Sequence, residues 1–158
     1  MQQEYGKDLR IVYKHFVVHP GVATIPAEAA CAAHLQGGFE PMLGLLWDRA
    51  YANRRFEQQY MEELADEIGL DHDRFVADMT GPCRQIVQQD QQDLAAVGVR
   101  GTPAFFINGR YLSGAQPIDR FRTLIDEELA LANRRLKKGG SAKRYYDTWV
   151  LKKGKKSI

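Results

Sequence analysis

One short stretch constrains the fold of this chain more than any other. Residues 104–107 and 110–112 are runs of β-forming side chains on either side of Asn108-Gly109. Asn-Gly between two such runs is the strongest local signal for a tight β-hairpin. Most of the remaining chain shows helical spacing. An all-α fold cannot absorb the hairpin, and a doubly wound sheet needs more strands than the chain offers. A small mixed sheet, α/β in the α+β sense, is what remains.

Residues 9–18 (LRIVYKHFVV) are rich in β-branched and aromatic types and read as a strand ended by His19-Pro20-Gly21. Ile11, Tyr13 and Phe16 alternate imperfectly, which predicts a strand buried on both faces for part of its length. Pro26 then opens a helix over 27–35, closed by Gly37-Gly38. Phe39, Met42, Leu43, Leu46, Trp47 and Ala50 recur at helical spacing. Phe56, Tyr60, Leu64 and Ile68 mark a third helix, stopped by Gly69. Asp71 is placed to cap a short helix through Met79, and a polar helix runs from Cys83 to Val97. After the hairpin, Pro117 opens an amphipathic helix whose stripe is Ile118, Phe121, Leu124, Ile125 and Leu129. Gly139-Gly140 ends it, and Ser141 is positioned to cap a last helix carrying Tyr145, Trp149 and Val150.

The hairpin and the residues before it, Gly98-Val99-Arg100-Gly101-Thr102-Pro103-Ala104-Phe105-Phe106-Ile107-Asn108-Gly109, resemble the signature of DsbA-like thiol:disulfide oxidoreductases. This family is a branch of the thioredoxin fold with a helical insertion. Residues 12–16, 26–39 and 116–125 resemble its strand after the active-site helix, its first insertion helix and its final thioredoxin helix. The likeness spans roughly residues 5–135. It implies a thioredoxin-like domain over 1–136 with its helical insertion at about 25–97, followed by a basic helical extension over 137–158. It also implies exchange with extended peptide or protein thiol substrates, in which a thiolate attacks a disulfide through a mixed disulfide. No cofactor is implied. X-Pro bonds turn cis at modest cost. In the resembled family this proline is cis and interrupts a strand edge, to which substrate peptide adds as a further strand. Thr102 and Pro103 are the positions that match that substrate-contact motif.

The departure from the family is as specific as the likeness. Members begin with a strand and a Cys-x-x-Cys at a helix N-terminus, where the dipole favours the thiolate. Here residues 2–7 resemble only the last turn of that helix, and no Cys-x-x-Cys is present. The expectation is an N-terminally truncated, redox-inactive relative whose missing strand belongs between residues 9–18 and the hairpin. Three repairs stay open: a rearranged sheet, a strand swapped from a second copy to give a homo-oligomer, or a longer parent chain. A different reading is a non-enzymatic module that binds peptide at the Thr102–Pro103 edge or an anionic partner through the basic tail. Glutathione-linked relatives of the same fold, which use a serine near the start of the domain, also stay open. The resemblance implies an extracytoplasmic site. Residues 1–8 carry no apolar leader core, so the compartment is left unassigned. No apolar run is long enough to span a bilayer.

The two cysteines are the remaining sources of a thiolate. Cys31 stands three residues before His34, on one helix face, yet it sits among alanines and reads as a core cysteine. Cys83 follows Gly81-Pro82 at a helix start, where the dipole favours ionisation. A bond between the two is left open, because its geometry is not legible in sequence. His15, His19, His34 and His72 have no metal-ligand spacing. Phe39, Trp47, Phe56 and Tyr60 read as helical core rather than a platform for bases, and no nucleic-acid partner is expected. Charge is unevenly divided. Residues 133–158 carry ten Lys/Arg and one acid, Asp147, whereas the rest carries 12 basic and 19 acidic side chains. Such a tail reads first as a solvated helix partly satisfied by the acidic body.

Overall fold

The computed structural model describes residues 1–153. The chain divides into two compact units, one of residues 14–94 and one of residues 1–13 with 95 onward.

The second unit starts with α1 (Gln2–Tyr5) and a 3-10 turn, Gly6–Asp8. The unit of residues 14–94 is helical. Its helices are α2 (Pro20–Leu35), α3 (Phe39–Leu45) running into a π-helical stretch Leu46–Tyr51, α4 (Gln58–Glu67), α5 (His72–Thr80) and α6 (Pro82–Ala96), whose last turn leaves the unit. α2 begins earlier than its sequence suggests. Pro20, not Pro26, takes the first position, and Pro26 lies inside the helix. A proline there removes one backbone hydrogen bond and crowds the carbonyl four residues back, and packing on α3, α4 and α5 outweighs both. The run Glu28–Ala33 is buried at every position. A helix buried all round must be made of small side chains if its neighbours are to approach, and the alanines supply that. Met42, Met61, Leu64, Phe75, Met79 and Cys83 complete the core around it. Asp71 caps α5 by accepting the Arg74 N–H at 2.8 Å. At Gly38 a Cβ would lie 2.8 Å from Leu70 Cδ2, so a larger residue in the turn after α2 pushes the Leu70 side chain aside.

The other unit holds β1 (Ala104–Ile107), β2 (Arg110–Ser113) and the long helix α7 (Ile118–Lys137). Leu124 and Ile125 are buried on α7, as is Val99 before the hairpin. Glu4 pairs with Arg122 at 3.0 Å and Tyr5 Oη donates to Asp126 at 2.8 Å, which fastens α1 to α7.

Two further expectations change. Residues 9–18 form no strand in the described residues. A strand exists only through a ladder partner, and the sheet contains β1 and β2 alone. Helix side chains take the partner's place for part of the segment: Asp90 Oδ2 accepts the His15 N–H at 3.0 Å and Gln91 Oε1 accepts the Val17 N–H at 2.6 Å. The basic C-terminal segment is not one capped helix. It is a 3-10 turn Ala142–Arg144 followed by a π-helical stretch Tyr146–Lys152, and Ser141 makes no side-chain cap. Residues 154–158, the end of the expected basic extension, lie outside the described residues.

Candidate functional site

The hairpin turn is set by two residues with left-handed backbone, Asn108 at φ 49° and Gly109 at φ 90°. Positive φ at both central positions is the type I′ turn, whose twist matches that of the flanking strands. It fixes the register: Ile107 faces Arg110, Phe106 faces Tyr111, Phe105 faces Leu112 and Ala104 faces Ser113. Beyond the strands the Gly114 N–H donates to the Pro103 carbonyl at 2.8 Å. In an antiparallel pair the backbone groups of alternate residues point toward the partner strand. Pro103, Phe105 and Ile107 therefore address β2. The N–H and C=O groups of Ala104 and Phe106 address the opposite edge, where no strand of the described residues pairs with them.

This open edge begins at the Thr102–Pro103 peptide bond, which is cis. Thr102 and Pro103 are both exposed. Phe105 stacks edge-on against Phe121 of α7 at 4.8 Å and Phe106 lies 5.3 Å from Tyr111. Both phenylalanines keep more than a third of their surface in solvent. Arg110, at the start of β2, is bound by Glu127 and lies 3.7 Å from the buried Glu128, which ties the hairpin to α7. Arg100 Nη1 donates to the Ala95 and Val99 carbonyls at 3.3 Å each, closing the loop between α6 and the hairpin. An anchored strand with one ladder edge unpaired among the described residues, and apolar side chains beside it, has the backbone geometry to which another extended chain could add.

Cys31 and Cys83 form a disulfide with Cα atoms 5.6 Å apart. It joins the middle of α2 to the first turn of α6. Both residues are buried, at 4% and 0% exposure. Above them Arg84 reaches the buried Glu28 at 3.4 Å. His34 is not a partner of Cys31 but sits edge-on to Phe39 at 6.0 Å. Thr102 and Pro103 belong to one unit and the cysteine pair to the other. Among the described residues no group of three or more His, Cys, Asp or Glu side chains is placed to hold a metal ion.

Sequence reasoning missed the polar anchor in the helical unit. Asp90 is buried on α6, where it is bound by Lys14 Nζ and by the His15 N–H. Burial lowers the His15 pKa from its usual 6.5, Asp90 opposing and Lys14 and His34 assisting. Residues 14 and 90 are 76 positions apart, and nothing local in α6 distinguishes Asp90 from its polar neighbours.

The model of the DSBA-like thioredoxin domain matches residues 1–126. Among curated relatives, the Na(+)/H(+) antiporter NhaA of Herminiimonas arsenicoxydans is 37% identical over 118 residues, covering 73% of this chain and 18% of that protein. The Na(+)/H(+) antiporter NhaA 1 of Salinispora arenicola is 35% identical over 129 residues, 78% of this chain and 19% of its own length. NhaA 3 of Salinispora tropica is 35% identical over 133 residues, with 80% and 20% coverage. The chain spans about a fifth of the length of the curated relatives it matches. No helix of the described residues is long and apolar enough to cross a membrane. No solved structure is significantly similar to the chain. The open-edged hairpin on its packed helix, with a helical unit inserted before it and the family match over most of the length, make this chain a member of the DSBA-like thioredoxin domain family, a relative of the thiol–disulfide oxidoreductases.

Proposed function

We propose that this domain binds extended peptide or protein segments along the outer edge of β1, beside Thr102 and Pro103, and does not itself catalyse disulfide exchange. The observation that supports the reading is that no strand of the described residues pairs with the outward backbone groups of Ala104 and Phe106. An added strand takes main-chain hydrogen bonds from these residues and lays side chains against Phe105 and Phe106. The absence of exchange follows from the cysteines: the chain has two, and both are buried in one disulfide. A thiolate nucleophile needs a free, accessible sulfur. A buried disulfide persists in an oxidising compartment, which favours an extracytoplasmic setting. The relatives are named for ion antiport, but the matched stretch is about a fifth of their length. We therefore assign antiport to the rest of such chains and peptide capture to this domain.

The same edge suits a second copy of the chain, β1 against β1, as a dimer that peptide dissolves. Two measurements test the reading. Titration of a fluorescent extended peptide against the full chain gives saturable binding, weakened at least about tenfold when the peptide's backbone amides are N-methylated, since the lost ladder bonds are worth about 1 kcal/mol each. Unchanged affinity for the N-methylated peptide refutes strand addition. Insulin reduction by dithiothreitol proceeds at background rate in its presence. A catalysed rate abolished by Cys31→Ser or Cys83→Ser refutes the non-catalytic reading. Light scattering at rising concentration checks the dimer, and a monomer throughout removes it.

A further inference from the structure

From the last turn of α7 onward the chain carries a dense positive charge that no carboxylate of the described residues pairs with. Among the described residues after 133, eight are basic: Arg134, Arg135, Lys137, Lys138, Lys143, Arg144, Lys152 and Lys153; Asp147 is the one acid. Of the twelve Lys and Arg residues before position 133, seven are in an ion pair: Lys14, Arg49, Arg55, Arg74, Arg84, Arg110 and Arg122. Among the described residues none of the eight is. The expectation that an acidic body satisfies this segment is therefore not met within the described residues.

Aromatic rings take the carboxylates' place. The Arg135 guanidinium lies 4.1 Å from the Trp149 ring centre and the Lys153 ammonium 3.9 Å from it. Arg135 Nη1 also donates to Tyr145 Oη at 2.9 Å. Tyr145, Trp149 and Lys153 follow at four-residue spacing, so they share one helical face. Those contacts fold the segment back on the last turn of α7. Arg10 lies 5.1 Å from the Tyr146 ring centre, a further tie. On the outside Tyr146 and Leu151 stay about half exposed, among exposed Lys143, Arg144, Lys152 and Lys153.

We infer that residues 142–153, with the last turn of α7, dock this domain on an anionic lipid surface. Basic side chains interleaved with Trp, Tyr and Leu are the combination that settles at a bilayer's headgroup level: the cations meet lipid phosphates, and the exposed Tyr146 ring and Leu151 enter the acyl boundary. A nucleic acid satisfies the cations equally but buries no aliphatic surface, and Leu151 is half exposed, which is why lipid is favoured.

The test is binding of the full chain to vesicles of phosphatidylcholine with and without phosphatidylglycerol, read by co-sedimentation and by Trp149 emission. The chain has two tryptophans, so Trp47→Phe, at an exposed position, leaves Trp149 as the sole reporter. The expected result is salt-sensitive binding to the anionic vesicles alone, with a blue shift of Trp149. Each basic residue near such a surface contributes about a fivefold factor, so Lys138→Gln with Lys143→Gln and Lys152→Gln lowers affinity about 100-fold. Circular dichroism verifies that the triple variant stays folded. Three results overturn the proposal: no binding, equal affinity for neutral vesicles, or tighter binding to duplex DNA than to anionic vesicles at the same salt.

Discussion

The disulfide in the helical unit gives the most quantitative consequence of this structure. Cys31 and Cys83 are separated by 52 positions, and their bond closes α3, α4 and α5 into one loop. Closing a loop of that length removes conformational entropy from the unfolded chain worth about 4 kcal/mol at 25 °C. For a chain of this size, about 4 kcal/mol corresponds to a fall of about 8–16 °C in the unfolding midpoint when the bond is lost. Reduction and mutation separate the cross-link from packing. The reduced protein keeps both sulfurs in the core, whereas Cys31→Ala with Cys83→Ala removes them and adds the cost of a small cavity. Thermal and guanidinium unfolding, followed by far-ultraviolet circular dichroism, thus rank the three proteins: oxidised most stable, reduced lower, double alanine lowest. Because both sulfurs are closed to solvent, dithiothreitol reaches the bond only when the unit opens, and the reduction rate rises steeply with denaturant. If the reduced protein unfolds within about 1 kcal/mol of the oxidised form, the loop argument fails. If the bond is reduced as fast in buffer as in denaturant, the burial argument fails.

Two further predictions concern the Asp90 anchor. Asp90→Ala strands Lys14 and the His15 N–H, and the loss of charge-assisted hydrogen bonds lowers stability by about 2 kcal/mol; chemical denaturation measures it, and a change under about 0.5 kcal/mol contradicts the role assigned to Asp90. His15 has its pKa lowered by burial, with Asp90 opposing and Lys14 and His34 assisting. The unfolded chain therefore binds the proton more readily, so this stabilising contribution is complete above pH 6.5 and is lost as pH falls below it. Exposed His72 acts in the opposite sense, its pKa raised by the hydrogen bond it donates to Asp66. Melting curves of wild type and His15→Gln across pH 5 to 7 check the sign. The variant loses stability less steeply on acidification, and parallel curves refute the assignment.

How much of this was legible in the sequence depends on how local each signal is. The hairpin was legible to the residue, because Asn108 and Gly109 encode the turn in their own backbone preferences and the turn sets the register. Asp71 was legible as a cap for the same reason: its partner, the Arg74 N–H, lies three residues away. The cysteine pair was legible only as a composition, since its bond depends on how α2 and α6 pack. Residues 9–18 mark where local preference is overruled. Their side chains favour an extended chain, but a strand is defined by what it pairs with, and here the Asp90 and Gln91 side chains occupy two of the N–H groups that a neighbouring strand would use. β1 is a formed strand whose outward backbone groups at Ala104 and Phe106 pair with no strand of the described residues, and the proposed binding edge is that surplus of pairing capacity. That surplus is a property of the whole sheet, which is why Thr102 and Pro103 could be picked from their motif while the residues that would hold the added strand could be picked only from the register.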